Sequence, residues 1–126
     1  MGSGYLIDSN VVIDFLNDKL VGEVRDLIFN IEPTISFITQ IEIFSTAKIT
    51  EKEKLSLLIF VNQSVIYRVD NDIIEETINI RLANKIKLPD AIIAATAKVN
   101  NLILITRNTK DFKNIKGITL IDPYSL

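Results

Sequence analysis

Two periods of apolar residues recur along the chain. Short apolar runs stand between longer stretches in which apolar residues return every three or four positions, the signatures of buried strands and of helices. Tyr5-Leu6-Ile7 predicts a first strand, closed by the polar triplet Asp8-Ser9-Asn10, and Val11–Leu16 a first helix. Leu20–Ile31 reads as a second helix with Val21, Val24, Leu27, Ile28 and Ile31 on one face; Pro33 ends it, and Thr34–Ile38 is a second strand. Thr39 opens a third helix that carries Ile41, Phe44 and Ala47 inward, and Glu51–Val61 is a fourth, acidic in its first turn. Ser64–Val69 reads as a strand, and Asp70–Lys87 as a long helix with Ile74, Ile78 and Leu82 at helical spacing. Asp90 begins a further helix, Ala91–Val99, whose near lack of a polar face predicts central burial. Leu102–Ile105 is a buried strand, Thr106–Asn114 a turn with a short helix, and Ile118–Ile121 a last strand.

Strands interleaved with helices predict an α/β fold, a mainly parallel sheet covered on both faces. No linker, repeat or composition break divides residues 1–126, so one domain is expected, and Met1-Gly2-Ser3-Gly4 is consistent with a cloning scar. Right-handed crossovers place the loops after the strand ends along one edge, where open α/β sheets hold their sites.

Composition narrows the chemistry at that edge. The chain contains no Cys and no His. This excludes disulfides, thiolate nucleophiles, imidazole bases and zinc sites built on either residue. Carboxylates, hydroxyls, amides, Lys, Arg and a metal held through oxygen are what remain. The net charge of −2 lacks the basic excess of a typical nucleic-acid binder, although acids gathered around divalent cations would distort that sum. No apolar run is long enough to cross a bilayer, so no membrane association and a cytoplasmic location are expected.

Acids from four separate places can meet at the edge. Asp8 follows the first strand, Glu42 lies one turn into the helix after the second, Asp90 opens the buried helix, and Asn108 and Asp111 follow Leu102–Ile105. Each has an ordinary alternative. Asp8 and Asp90 suit helix N-caps, Thr39-Gln40-Ile41-Glu42 fits a capping box, and Asn108 with Asp111 suits the start of the short helix. Together they describe something else. Carboxylates within about 4–6 Å repel one another, and a cluster of them calls for a compensating cation. An all-oxygen donor set favours a hard ion such as Mg²⁺ or Mn²⁺, suited to phosphoryl chemistry.

Four segments in order carry a family resemblance: Leu6-Ile7-Asp8-Ser9-Asn10, Thr39-Gln40-Ile41-Glu42, Leu88-Pro89-Asp90-Ala91-Ile92-Ile93-Ala94-Ala95-Thr96-Ala97, and Ile105-Thr106-Arg107-Asn108-Thr109-Lys110-Asp111-Phe112. Over nearly the whole chain the sequence resembles the PIN domain, and most nearly the VapC-like toxins of prokaryotic type II toxin–antitoxin modules. The resemblance implies a three-layer α/β/α sandwich and a Mg²⁺- or Mn²⁺-dependent endoribonuclease that hydrolyses RNA by metal-activated water, leaving a 3′-hydroxyl and a 5′-phosphate. It implies a cognate antitoxin and a homodimer as partners, with the Val11–Leu16 and Leu20–Ile31 helices as the expected contact surfaces. Asp8, Glu42 and Asp90 match the family's first three acidic positions. The fourth is the amide Asn108, which can serve a metal through water but adds no charge, and Asp111 stands one helical turn later. The expected catalytic set is therefore Asp8, Glu42, Asp90 and Asp111, and the expected metal set Asp8, Asp90, Glu42 and Asn108.

Ser9, Asn10 and Thr106 are candidates to orient carboxylates or metal waters, with helix capping as the alternative. Arg107, Lys110, Lys113 and Lys116 form a basic series suited to RNA phosphates or to a solvated face. Two other functions fit parts of the pattern. One is a PIN-like module that binds RNA or protein without turnover. The other is an aspartyl-phosphate phosphatase on Asp8, disfavoured because Asn10 stands where its partner Asp belongs.

Overall fold

The computed structural model describes residues 4–46 and 49–125. Its elements in chain order are β1 (Tyr5–Ile7), α1 (Ser9–Leu16), α2 (Gly22–Asn30), β2 (Thr34–Ser36), α3 (Phe37–Phe44), α4 (Glu51–Asn62), β3 (Val65–Tyr67), α5 (Asn71–Ala83), α6 (Leu88–Val99), β4 (Ile103–Ile105), α7 (Thr109–Phe112) and β5 (Thr119–Ile121). All ladders are parallel. β4 lies between β1 and β5, with Leu6 opposite Leu104 and Leu104 opposite Leu120, while β2 pairs with β3 through Ile35 and Ile66. These ladders make a three-stranded sheet, β1-β4-β5, and a two-stranded sheet, β2-β3; β1 lies beside β2 with no ladder between them among the described residues, so the strands follow the spatial order β3-β2-β1-β4-β5.

Side-chain alternation along these strands divides the interior in two. Leu6 and Leu104 face a core shared with α5, α6 and α7, which includes Ile73, Ile80, Ala94 and Phe112. Ile7 and Ile105, one residue on, face the opposite core, with Val11, Val24, Ile28, Ile43 and Phe60 from α1 to α4. The result is a three-layer α/β/α sandwich. The chain moves outward from β1 to β3 with its helices on one face. It then returns to β4, on the other side of β1, with its helices on the second face. The sheet therefore reverses its direction of growth between β1 and β4.

α6 is buried as its composition predicts: Ala91, Ile93, Ala94, Ala95, Thr96 and Ala97 are all inaccessible. It ends on Asn101, which adopts a left-handed conformation (φ 54°). The amide of Leu102 donates to Ala97 O at 2.8 Å and that of Asn101 to Lys98 O at 3.3 Å. This Schellman closure turns the chain into β4.

Several expectations are corrected. α3 starts two residues before Thr39, capped by Ser36, whose hydroxyl accepts from the Ile38 amide at 3.1 Å. It buries Ile43, leaving Ile41 exposed and Phe44 half-buried, while Ala47 lies outside the described residues. On α5 the buried stripe is Ile73, Thr77 and Ile80; Ile74, Ile78 and Leu82 face outward. On α2, Val24 and Ile28 are buried but Val21 is exposed. α6 begins at Leu88, so Asp90 stands in its first turn rather than at its cap.

Candidate active site at the sheet reversal

The reversal between β1 and β4 is where an open α/β sheet leaves a crevice beyond its strand ends. Asp8 occupies it. Its amide extends the ladder by donating to Ile105 O at 3.0 Å, and its backbone caps α1. The residue is 5% exposed; its Oδ1 accepts from the Ser9 amide and its Oδ2 from the Thr106 hydroxyl, both at 2.8 Å. Thr106 directly follows β4, so this second bond spans the crevice. Burial pushes the Asp8 carboxyl above its ordinary 3.8, against the opposing pull of Thr106, the Ser9 amide and the Arg107 charge. Capping and site geometry coincide in this residue.

Glu42 reaches the same place from α3. Its Oε1 accepts from the Ser9 hydroxyl at 2.5 Å, and that hydroxyl also lies 3.3 Å from Thr39 Oγ1. The carboxylate thus points across to α1 instead of closing a capping box on Thr39. A capping box does exist, on α4, where Thr50 and Glu53 exchange hydrogen bonds. Asp90 approaches from α6. Its carboxyl is raised above 3.8 first by burial, then by the negative charges of Asp8, Asp111 and Glu42, with Lys87 opposing. Acids from three other elements therefore act on Asp90. Among the described residues, no three acidic side chains stand close enough to form a ready-made ion cage.

Asn108 holds the N-cap position of α7 without a side-chain capping bond, and its backbone N–H donates to Thr106 Oγ1 at 3.0 Å. Asp111 is exposed in the first turn of α7, and Asn10 makes no side-chain hydrogen bond to the site. Of the basic series, Arg107 is engaged: its Nη1 lies 3.2 Å from Asp14 Oδ2. Tyr124 OH donates to the same oxygen. Asp14 is a further residue of this region, buried on α1. Its signal in the sequence is a lone acid inside the apolar run Val11–Leu16. Lys110, Lys113 and Lys116 are exposed, and Lys110 borders a groove beside Asp90 and Asp111.

The donors offered by Asp8, Glu42, Asp90, Asp111 and Asn108 are all oxygens, which suits a hard divalent cation. The mutual repulsion felt at Asp90 is what such an ion would relieve.

The PIN-domain family model matches residues 5–118. The chain belongs to the PIN-domain family. Members of this family are nucleases. A chain of a toxin–antitoxin complex from Klebsiella pneumoniae is 34% identical, with a TM-score of 0.76 over 97% of this chain and 99% of that one. A chain of the DNA-bound VapBC complex from Salmonella typhimurium is 26% identical, with a TM-score of 0.76 and coverage of 94% and 97%. VapBC-1 from nontypeable Haemophilus influenzae, 20% identical with a TM-score of 0.79 and coverage of 95% and 98%, shares the PIN fold. No curated protein sequence matches the chain. Among the described residues, no helix is long and apolar enough to cross a membrane.

Proposed function

We propose that this PIN-domain protein is a Mg²⁺- or Mn²⁺-dependent endoribonuclease, the toxin of a type II toxin–antitoxin module. In this reading it acts in the cytoplasm as a homodimer restrained by a cognate antitoxin. The observation that carries the reading is the seating of Asp8 across the sheet reversal, with Asp90 within the electrostatic reach of Asp8, Glu42 and Asp111. A divalent cation, when bound, polarises the phosphodiester and makes water a competent nucleophile near neutral pH.

The chain's own groups set up the rest. Two donors fix the Asp8 carboxylate, so little rearrangement is needed for it to serve as a ligand. The Ser9 hydroxyl holds Glu42 toward the same edge. Asp90, with its increased proton affinity, is suited to exchange a proton with the attacking water. Asp111 and Asn108 would add further oxygens from α7.

The neutral Asn108 and the lack, among the described residues, of a three-acid cage favour a second reading, a PIN module that binds without turnover. Incubation of structured RNA with Mg²⁺ or Mn²⁺ separates the two. Cleavage to 3′-hydroxyl and 5′-phosphate ends that falls by roughly 100-fold or more in Asp8→Asn is expected, since removal of a metal ligand's charge weakens both affinity and catalysis. Intact RNA under both metals would leave the binding module.

A further inference from the structure

Beside the acids runs a groove of opposite character. Arg81, Lys85, Lys87 and Lys110 line it together with Asp90 and Asp111. Among the described residues the ion-paired cations are Arg25, Lys98 and Arg107, none of which belongs to this groove. The four cations of the groove are therefore outside any ion pair, in a protein of net charge −2.

The local chain conformation explains their clustering. Arg81 lies in the last turn of α5, which Asn84 closes by donating its side-chain amide to Ile80 O at 3.0 Å. Asn84 and Lys87 are both extended (ψ 147° and 149°). Ile86 packs against the core, and Lys85 and Lys87 on either side of it are exposed and line the groove. Lys110 closes the groove from α7.

We propose that this groove is the track for a single-stranded RNA backbone, with Arg81 and Lys85 holding phosphates next to the one presented to the carboxylates. The inference rests on the nuclease reading and adds its substrate path. Phosphate is the ligand chemistry that suits four available cations bordering two acids, since the strand is held beside the acids and not by them. No aromatic side chain is among the residues that line the groove, so bases are not stacked there and binding is indifferent to sequence.

The test is fluorescence anisotropy with labelled oligouridylate and oligoadenylate of about 12 nucleotides, within the span that one single-strand site covers. It is run in EDTA, so that cleavage does not interfere, across a salt series. Arg81→Gln/Lys85→Gln is expected to bind both about tenfold more weakly at low salt. Its log–log salt slope should be shallower by about 1.4, roughly 0.7 for each phosphate left without its cation on a single strand. A charge-matched control, Lys19→Gln/Lys54→Gln, should bind like the parent. Under Mg²⁺ the groove variant should show raised KM at unchanged kcat, the pattern of weakened uniform binding. Binding and salt slope equal to the parent's would overturn the inference while leaving any cleavage, and so the nuclease reading, intact. Parent binding that depends on Arg81 and Lys85 without cleavage under either metal would retain the track and remove the nuclease. Binding of polyglutamate in place of both oligonucleotides would overturn it in favour of an acidic protein partner.

Discussion

At the scale of single residues, the site is a contest between holding carboxylates still and holding them together. The Asp8 carboxylate is held by two donors, the Ser9 amide and the Thr106 hydroxyl, whereas Asp90 has charged neighbours that mainly repel it. Both carboxyls sit above the ordinary 3.8, so the folded, metal-free protein binds protons more readily there than the unfolded chain does. The linkage sign follows. Stability falls as pH rises from the ordinary value through the raised folded values, and the loss is complete above them. Asp90→Asn should accordingly melt roughly 2–5 °C higher than the parent at about pH 7 in EDTA, with the gap closing as pH falls toward about 4. Cleavage should be abolished at the same time. Differential scanning calorimetry over this range checks it, and a lower melting temperature for the variant would mean that Asp90 supports α6 more than it strains the site.

At the scale of elements, closures decide where the site residues land. Asn101 is exposed and left-handed, and its closure of α6 sets the entry into β4, after which Thr106 meets Asp8. A side chain without a local hydrogen-bonding amide is strained there by about 1–2 kcal/mol. Asn101→Ala should thus lose about 1 kcal/mol in urea unfolding, while Asn101→Gly stays near the parent; equal losses in both would show that the amide side chain itself matters. The same scale explains what was legible in the sequence. Strand order in the chain, the buried α6 and the placement of acids after strand ends all follow from apolar runs and the polar residues that stop them. The burial of α5 does not. That helix carries two apolar stripes, and the buried one is interrupted by Thr77, whose hydroxyl is satisfied within its own helix by donating to Ile73 O at 2.7 Å. Periodicity cannot rank a stripe that hides a polar group in this way against an unbroken one that faces out. Of the groove cations Lys110 is legible, but Arg81, Lys85 and Lys87 are not, for a related reason: a cation's freedom depends on which acids fold up beside it, and Arg107, the most conspicuous cation in the sequence, is the one that Asp14 claims.

At the scale of the whole molecule, β4 joins everything. It is the hydrogen-bonded partner of both β1 and β5, it contributes Leu104 to one core and Ile105 to the other, and it leads into Thr106. A chain ended after Leu102 keeps α1 to α6 but leaves β1 without its ladder. We expect that fragment to show no cooperative thermal transition by circular dichroism; a sigmoidal melt with native helicity would place the folding unit in the residues before β4. The bond from Thr106 to Asp8 spans 98 positions, and that separation has a meaning in time. Synthesis at about 5–20 residues per second brings Asp8, Glu42 and Asp90 out of the ribosome well before the residue that seats the first of them. A stalled or broken chain carries the charges without their arrangement. Under the nuclease reading, a chain broken before Thr106 should carry the acids and yet cleave no RNA.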